Sequence, residues 1–259
     1  MLLVAVAILI GRQQSERSLP VQDGNTLATV ETSPTPVPMV QPTASPRPKL
    51  EEVPRATYQD WLERLEEDAE AIAAEPPERL YVLAGDSISL SFPERLLPLD
   101  VAWLNQGISG EGSEGLYERL PLLDDIRPDK IFVMIGINDL LRGEDDETIL
   151  ENHRKIIKDI LWIHPNTEVV VQSILPHGGA NATWEGREKL RDLPNQRIER
   201  LNERLAAIAQ VEGATYLNLY PLFSDEAGYL KAEFTTDGLH LNERGYELWR
   251  MALVIAETL

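Results

Sequence analysis

The chain has 259 residues and a formal net charge of −19 at neutral pH. It contains no cysteine, which excludes disulfides, thiol nucleophiles and thiolate zinc sites. Up to residue 60 the charges nearly balance, with five Lys or Arg against six Asp or Glu; the acidic excess therefore lies in the rest of the chain, which repels phosphate backbones and anionic lipid, so nucleic acid is not an expected partner.

Residues 1–11 read MLLVAVAILIG, an apolar run too short to span a bilayer as a helix, which takes about 20 residues. Its length suits the hydrophobic region of a secretion signal, although a basic start and a small-residue cleavage site are missing. We read it as the remnant of a signal or anchor, against a frayed apolar terminus on a cytosolic protein. Residues 12–55 are rich in Pro, Ser and Thr and follow neither a helical nor a strand period, the composition of an extended linker. This layout predicts an extracytoplasmic protein of the periplasm or cell envelope, membrane-tethered or secreted, with a cytoplasmic location as the alternative.

The foldable part is expected over residues 56–259. Tyr58, Trp61, Leu62, Leu65, Ala69 and Ile72 recur at three- and four-residue spacing, which predicts a leading amphipathic helix over 57–75 that ends before Pro76-Pro77. Five short apolar runs follow, at 80–84, 101–105, 131–135, 168–172 and 215–219. They are continuous rather than alternating, the pattern of strands buried on both faces. Helical periods fall between them near 113–125, 146–163 and 195–211, with a last one from Glu243 onward. Strands alternating with helices imply right-handed crossovers and a parallel sheet, hence one three-layer α/β/α sandwich with five parallel strands.

Ligands of open parallel sheets bind at the carboxyl ends of the strands. The first run leads into Gly85-Asp86-Ser87, the second into Gln106-Gly107-Ile108-Ser109-Gly110, the third into Gly136-Ile137-Asn138-Asp139 and the fourth into a loop containing His177; Asp237-Gly238-Leu239-His240 stands before the last helix. A serine hydroxyl needs a base within hydrogen-bond reach. His240 follows Asp237 at a spacing that one turn can close, so the carboxylate can fix the imidazole tautomer. His153 and His164 fall on a helical segment away from this rim, as packing or surface residues. Asp86 and Asp139 flank reactive positions and are expected to brace loops. His177 lines the substrate pocket or caps its loop; both readings stand. No P-loop is present, and the scattered histidines suggest no metal site, so no cofactor is expected.

Taken in order, the GDS block, a glycine in the second block, the GxND block and the Asp-x-x-His pair resemble the SGNH (GDSL-like) hydrolases over roughly residue 79 to the C-terminus. The texture around these blocks is similar to the platelet-activating-factor acetylhydrolase and lysophospholipase-like branch. The resemblance implies a flavodoxin-like fold and a serine esterase with Ser87, Asp237 and His240 as catalytic residues. It further implies that Ser87, Gly107 and Asn138 supply the oxyanion donors. Short acyl or O-acetyl esters are the expected substrates and lysophospholipid the next; a non-catalytic binding or scaffold domain on the same fold is the alternative.

Overall fold

The computed structural model describes residues 56–256, so the expected anchor (1–11) and linker (12–55) lie outside the described residues. Helix α1, Tyr58–Ala74, starts at a capping box. Thr57 Oγ1 accepts the Asp60 N–H at 3.2 Å, and Asp60 Oδ2 accepts the Thr57 N–H at 2.6 Å, so two otherwise orphaned donors are satisfied reciprocally. Leu65 and Ala69 form its buried stripe.

After α1 come β1 (Leu80–Gly85), α2 (Ser87–Leu90), β2 (Ala102–Gly107), α3 (Ser113–Glu118), β3 (Lys130–Met134), α4 (Ile137–Arg142) and α5 (Asp146–Ile163). The chain continues through β4 (Glu168–Gln172), α6 (Arg187–Asp192), α7 (Asn195–Glu212), β5 (Thr215–Leu217), α8 (Tyr220–Phe223) and α9 (Glu243–Ala256). All strand pairings are parallel, in the order β2-β1-β3-β4-β5. The strand order thus reverses between β1 and β3, and the crevice at their carboxyl ends is where such sheets bind ligands.

Alternate strand residues face opposite layers. Val82, Ala84, Val133 and Val171 pack with Leu116, Ile149, Ile156 and Leu201 from α3, α5 and α7. On the other face Tyr81, Leu83, Phe132 and Val170 pack with Ile88, Tyr246, Trp249 and Leu253 from α2 and α9. Helices cover the sheet on both sides, as the continuous apolar runs require.

Two elements are shorter than the sequence pattern predicts. The helix expected over 113–125 breaks after Glu118 into a 3-10 turn, Leu120–Leu123; Pro121 has no N–H to extend the ladder. The fifth strand stops at Leu217 because the backbone N–H groups of Leu219 and Tyr220 both turn to Ser173 Oγ, at 2.9 Å each.

Candidate active site

Ser87 is the first residue of α2, two residues past the end of β1. Asp86 caps this helix, its Oδ1 accepting the Ile88 N–H at 2.9 Å. The turn is tight: a Cβ on Gly85 would lie 2.2 Å from the Met134 carbonyl and 2.5 Å from Ser89 Oγ. Ser87 is left half-buried at the carboxyl rim. Its N–H, at the start of the helix, has no hydrogen-bond partner among the described residues, as expected for a first-turn donor.

The Asp237–His240 turn meets Ser87 from the C-terminal side. Asp237 Oδ2 lies 2.8 Å from His240 Nδ1, and His240 Nε2 lies 3.1 Å from Ser87 Oγ. Asp237 Oδ1 accepts the backbone N–H groups of Leu239 and His240 at 2.9 and 2.8 Å. Burial pushes the Asp237 carboxyl up, but these donors and the imidazole outweigh it and hold the group below the usual carboxylate range. With Nδ1–H donated to that carboxylate, Nε2 is the acceptor for the Ser87 hydroxyl. Gly238 permits the turn at φ +87°. Behind it Asn242 Oδ1 accepts the Gly245 N–H at 3.0 Å and caps α9. Tyr246 of that helix donates to the Ile88 carbonyl at 2.9 Å, joining α9 to α2.

Gly107 does not present a free donor, contrary to expectation. It is buried, and its N–H is taken by Asn105 Oδ1 at 3.0 Å. A Cβ at Gly107 would sit 2.3 Å from the Leu90 backbone nitrogen, so glycine is needed here for α2 to lie against β2. Gly110, three residues on, has the open geometry instead. It is half-exposed at φ +78°, with open space at its Cβ position. Its N–H has no partner among the described residues, and its carbonyl accepts a hydrogen bond from Arg142. Asn138, half-buried in α4, donates one amide hydrogen to the Glu111 carbonyl at 2.9 Å, which leaves the other hydrogen available.

His177 is corrected as a pocket residue. It is only 1% exposed. Its Nε2 donates to the Leu193 carbonyl at 2.8 Å and its Nδ1 accepts the Gly179 N–H at 3.0 Å. Both nitrogens are therefore committed to backbone, and burial pushes the imidazole pKa down. The loop it pins reaches Asp237: Gly178 N–H donates to Gly238 O at 2.7 Å, and the Thr183 and Trp184 N–H groups donate to Asp237 O at 2.8 and 3.0 Å. His153 is fully buried in α5, with Nε2 3.2 Å from Ile135 O.

Sequence reasoning missed the polar interior behind the rim. Asp139 accepts Ser113 N–H and Oγ–H at 2.9 and 2.6 Å. Glu111 and Arg119, both 5% exposed, form a bidentate pair at 2.9 and 2.7 Å. Asp86 sits among these charges; burial first, and then Asp139 and Glu111, push its carboxyl up to about 7 against the downward pull of the Ile88 N–H. Asp86 and Asp139 brace loops, as their flanking positions suggested. Charged residues in a loop and at a helix end read as surface, and nothing in the spacing of Glu111 and Arg119 marks them as a buried pair.

Residues 84–248 match the model of the GDSL-like lipase/acylhydrolase family. An arylesterase of Vibrio mimicus is 36% identical over 122 residues, covering 41% of this chain and 60% of that relative; the chain thus spans less than two thirds of it. A candidate platelet activating factor from Streptococcus pneumonia superposes with a TM-score of 0.67 at 26% identity, over 76% of this chain and 95% of that one. A GDSL-like lipase from Bacteroides thetaiotaomicron shares the fold, with a TM-score of 0.64 at 22% identity over 76% and 98% of the two chains.

Proposed function

The chain belongs to the GDSL-like lipase/acylhydrolase family, and on that premise we propose that it is a serine ester hydrolase working through an acyl-enzyme. The observation that carries this reading is the continuous relay from Asp237 Oδ2 to His240 Nδ1 at 2.8 Å and from His240 Nε2 to Ser87 Oγ at 3.1 Å. Ser87 Oγ adds to the ester carbonyl while His240 Nε2 takes its proton; Asp237 stabilises the imidazolium and keeps it oriented. The carbonyl oxygen becomes negative and is met by the unpaired N–H groups of Ser87 and Gly110 and the free amide hydrogen of Asn138. His240 returns the proton to the leaving alcohol as the C–O bond breaks. Water, deprotonated by the same imidazole, then releases the acid and restores Ser87.

Short acyl or O-acetyl esters come first as substrates, because Ser87 is only half-buried and the His240 side chain beside it is 30% exposed. A longer acyl chain is the second reading. A groove of about 900 Å³ is lined by Leu90, on the same short helix as Ser87, together with Phe92, Leu97, Trp103 and Trp61. The apolar terminus and linker support an envelope location with such esters within reach. The test is an acyl-chain-length series of p-nitrophenyl esters on the purified protein, with Ser87→Ala as control. The expected result is a rate that peaks at acetyl and vanishes in Ser87→Ala. A rate rising with chain length selects the lipid reading; undiminished hydrolysis by Ser87→Ala refutes the mechanism.

A further inference from the structure

Helix α1 lies outside the family-matched residues 84–248, yet its first residue reaches the buried charges behind the rim. Tyr58 Oη donates to Glu111 Oε1 at 3.1 Å. Burial first, and then the Glu111 carboxylate, push this phenol up to about 12, so it remains a donor across the working range. Glu111 is a hub. Its carboxylate holds Arg119 Nε at 2.9 Å and Nη2 at 2.7 Å. Its main-chain carbonyl accepts from Asn138 Nδ2 at 2.9 Å. Arg119 Nη2 continues to the Gln106 carbonyl at 2.6 Å and the Gly85 carbonyl at 3.4 Å, the strand ends that lead into the GDS turn and the Gly110 loop. Gly115 leaves room for this junction, since a Cβ there would stand 3.2 Å from Glu111 Cγ and 3.5 Å from Tyr58 Oη.

Each of the three groups assigned to the oxyanion is thus bonded to this network or within two residues of an atom that it fixes. Gly85 precedes Asp86-Ser87, Glu111 follows Gly110, and Asn138 is bonded directly. We propose that Glu111 and Arg119 are positioning residues for ester hydrolysis, and that Tyr58 makes the leading helix part of the catalytic unit by holding the second face of the Glu111 carboxylate. This rests on the serine-esterase reading. Preorganised donors act on the charge that develops in the transition state, so a small tilt costs turnover more than substrate binding.

The decisive variant is Tyr58→Phe in the full chain, assayed with p-nitrophenyl acetate. Losing one hydroxyl bonded to a charged partner is expected to lower kcat by about 3- to 10-fold with KM unchanged. Glu111→Gln is expected to lower kcat more. Because it strands a buried guanidinium and can fail to fold, the paired variant Glu111→Gln with Arg119→Met removes both charges at similar volume; it is expected to fold and to lose at least as much kcat as Tyr58→Phe. A kcat within 1.5-fold of the parent in both Tyr58→Phe and the paired variant, or a rise in KM alone, overturns the proposal. Ser87→Ala separates the two levels: full activity there refutes the esterase site, whereas an inactive Ser87→Ala beside an unimpaired Tyr58→Phe refutes only the role of α1.

Discussion

Two glycines three residues apart do opposite work at the rim. Gly107 is held by packing: its N–H is bonded to Asn105 and its missing Cβ admits the α2 backbone. Gly110 is held by conformation, at φ +78° with space around it. Gly107→Ala should therefore act on folding, lowering the melting temperature sharply or yielding insoluble protein, because the new methyl meets backbone at 2.3 Å. Gly110→Ala meets only the left-handed strain of about 1–2 kcal/mol, so a folded protein with impaired turnover is expected. Asn138→Ala should fold and lose about 10²- to 10³-fold in kcat, the usual effect of removing one oxyanion donor. Thermal melts alongside steady-state kinetics distinguish these outcomes. A normally melting Gly107→Ala would show that the approach of α2 to β2 does not depend on the missing Cβ. The family resemblance pointed to a glycine in the second block, but the choice between two neighbours depends on where the Asn105 side chain turns, and no pattern in the residues specifies that.

At the scale of elements, the strands and long helices were legible because burial on both faces writes a continuous apolar run and a helix writes a 3.6-residue period. β4 and α5 begin and end where those patterns do. Loops write no period, and here they carry the positioning. The segment after β4 is fastened at two points spaced along α7: Asn202 bonds both backbone groups of Ile174 at 2.9 and 2.8 Å, and Asn195 bonds both of His177 at 3.0 and 2.8 Å. His177 completes the fastening, and the loop then clamps the Asp237 carbonyl. His177→Ala should destabilise the protein by about 2–4 kcal/mol through lost packing and two lost hydrogen bonds. It should also loosen the Asp237 turn, which hydrogen exchange reads directly as faster exchange at the Thr183 and Trp184 amides. Unchanged exchange at those two amides would show that the clamp holds without the imidazole.

On the scale of the whole molecule, burial shifts two groups in opposite directions, and their contributions to stability respond oppositely to acid. His153 is fully buried; burial pushes it from 6.5 down to about 4, against the upward pull of Asp139 and of the Ile135 carbonyl. Below pH 6.5 the unfolded chain takes up this proton before the native one does, so stability is lost as pH falls toward 4. Asp86 runs the other way. Its native value of about 7 lies above its ordinary 3.8, so between those values the native chain holds a proton that the unfolded chain has released, and acidification stabilises the fold. The two contributions oppose one another between pH 4 and 6.5. Replacing His153 by Met removes one of them while keeping an apolar side chain in the α5 core. The stability gap between variant and parent should then shift in favour of the variant by about 2 kcal/mol on going from pH 7 to pH 5, at 1.36 kcal/mol per unit over the titrated interval. Urea unfolding at the two pH values measures the gap directly. A gap that stays constant would mean that His153 protonates as readily in the folded chain as in the unfolded one, which its burial between the sheet and α5 forbids unless the helix opens to admit water.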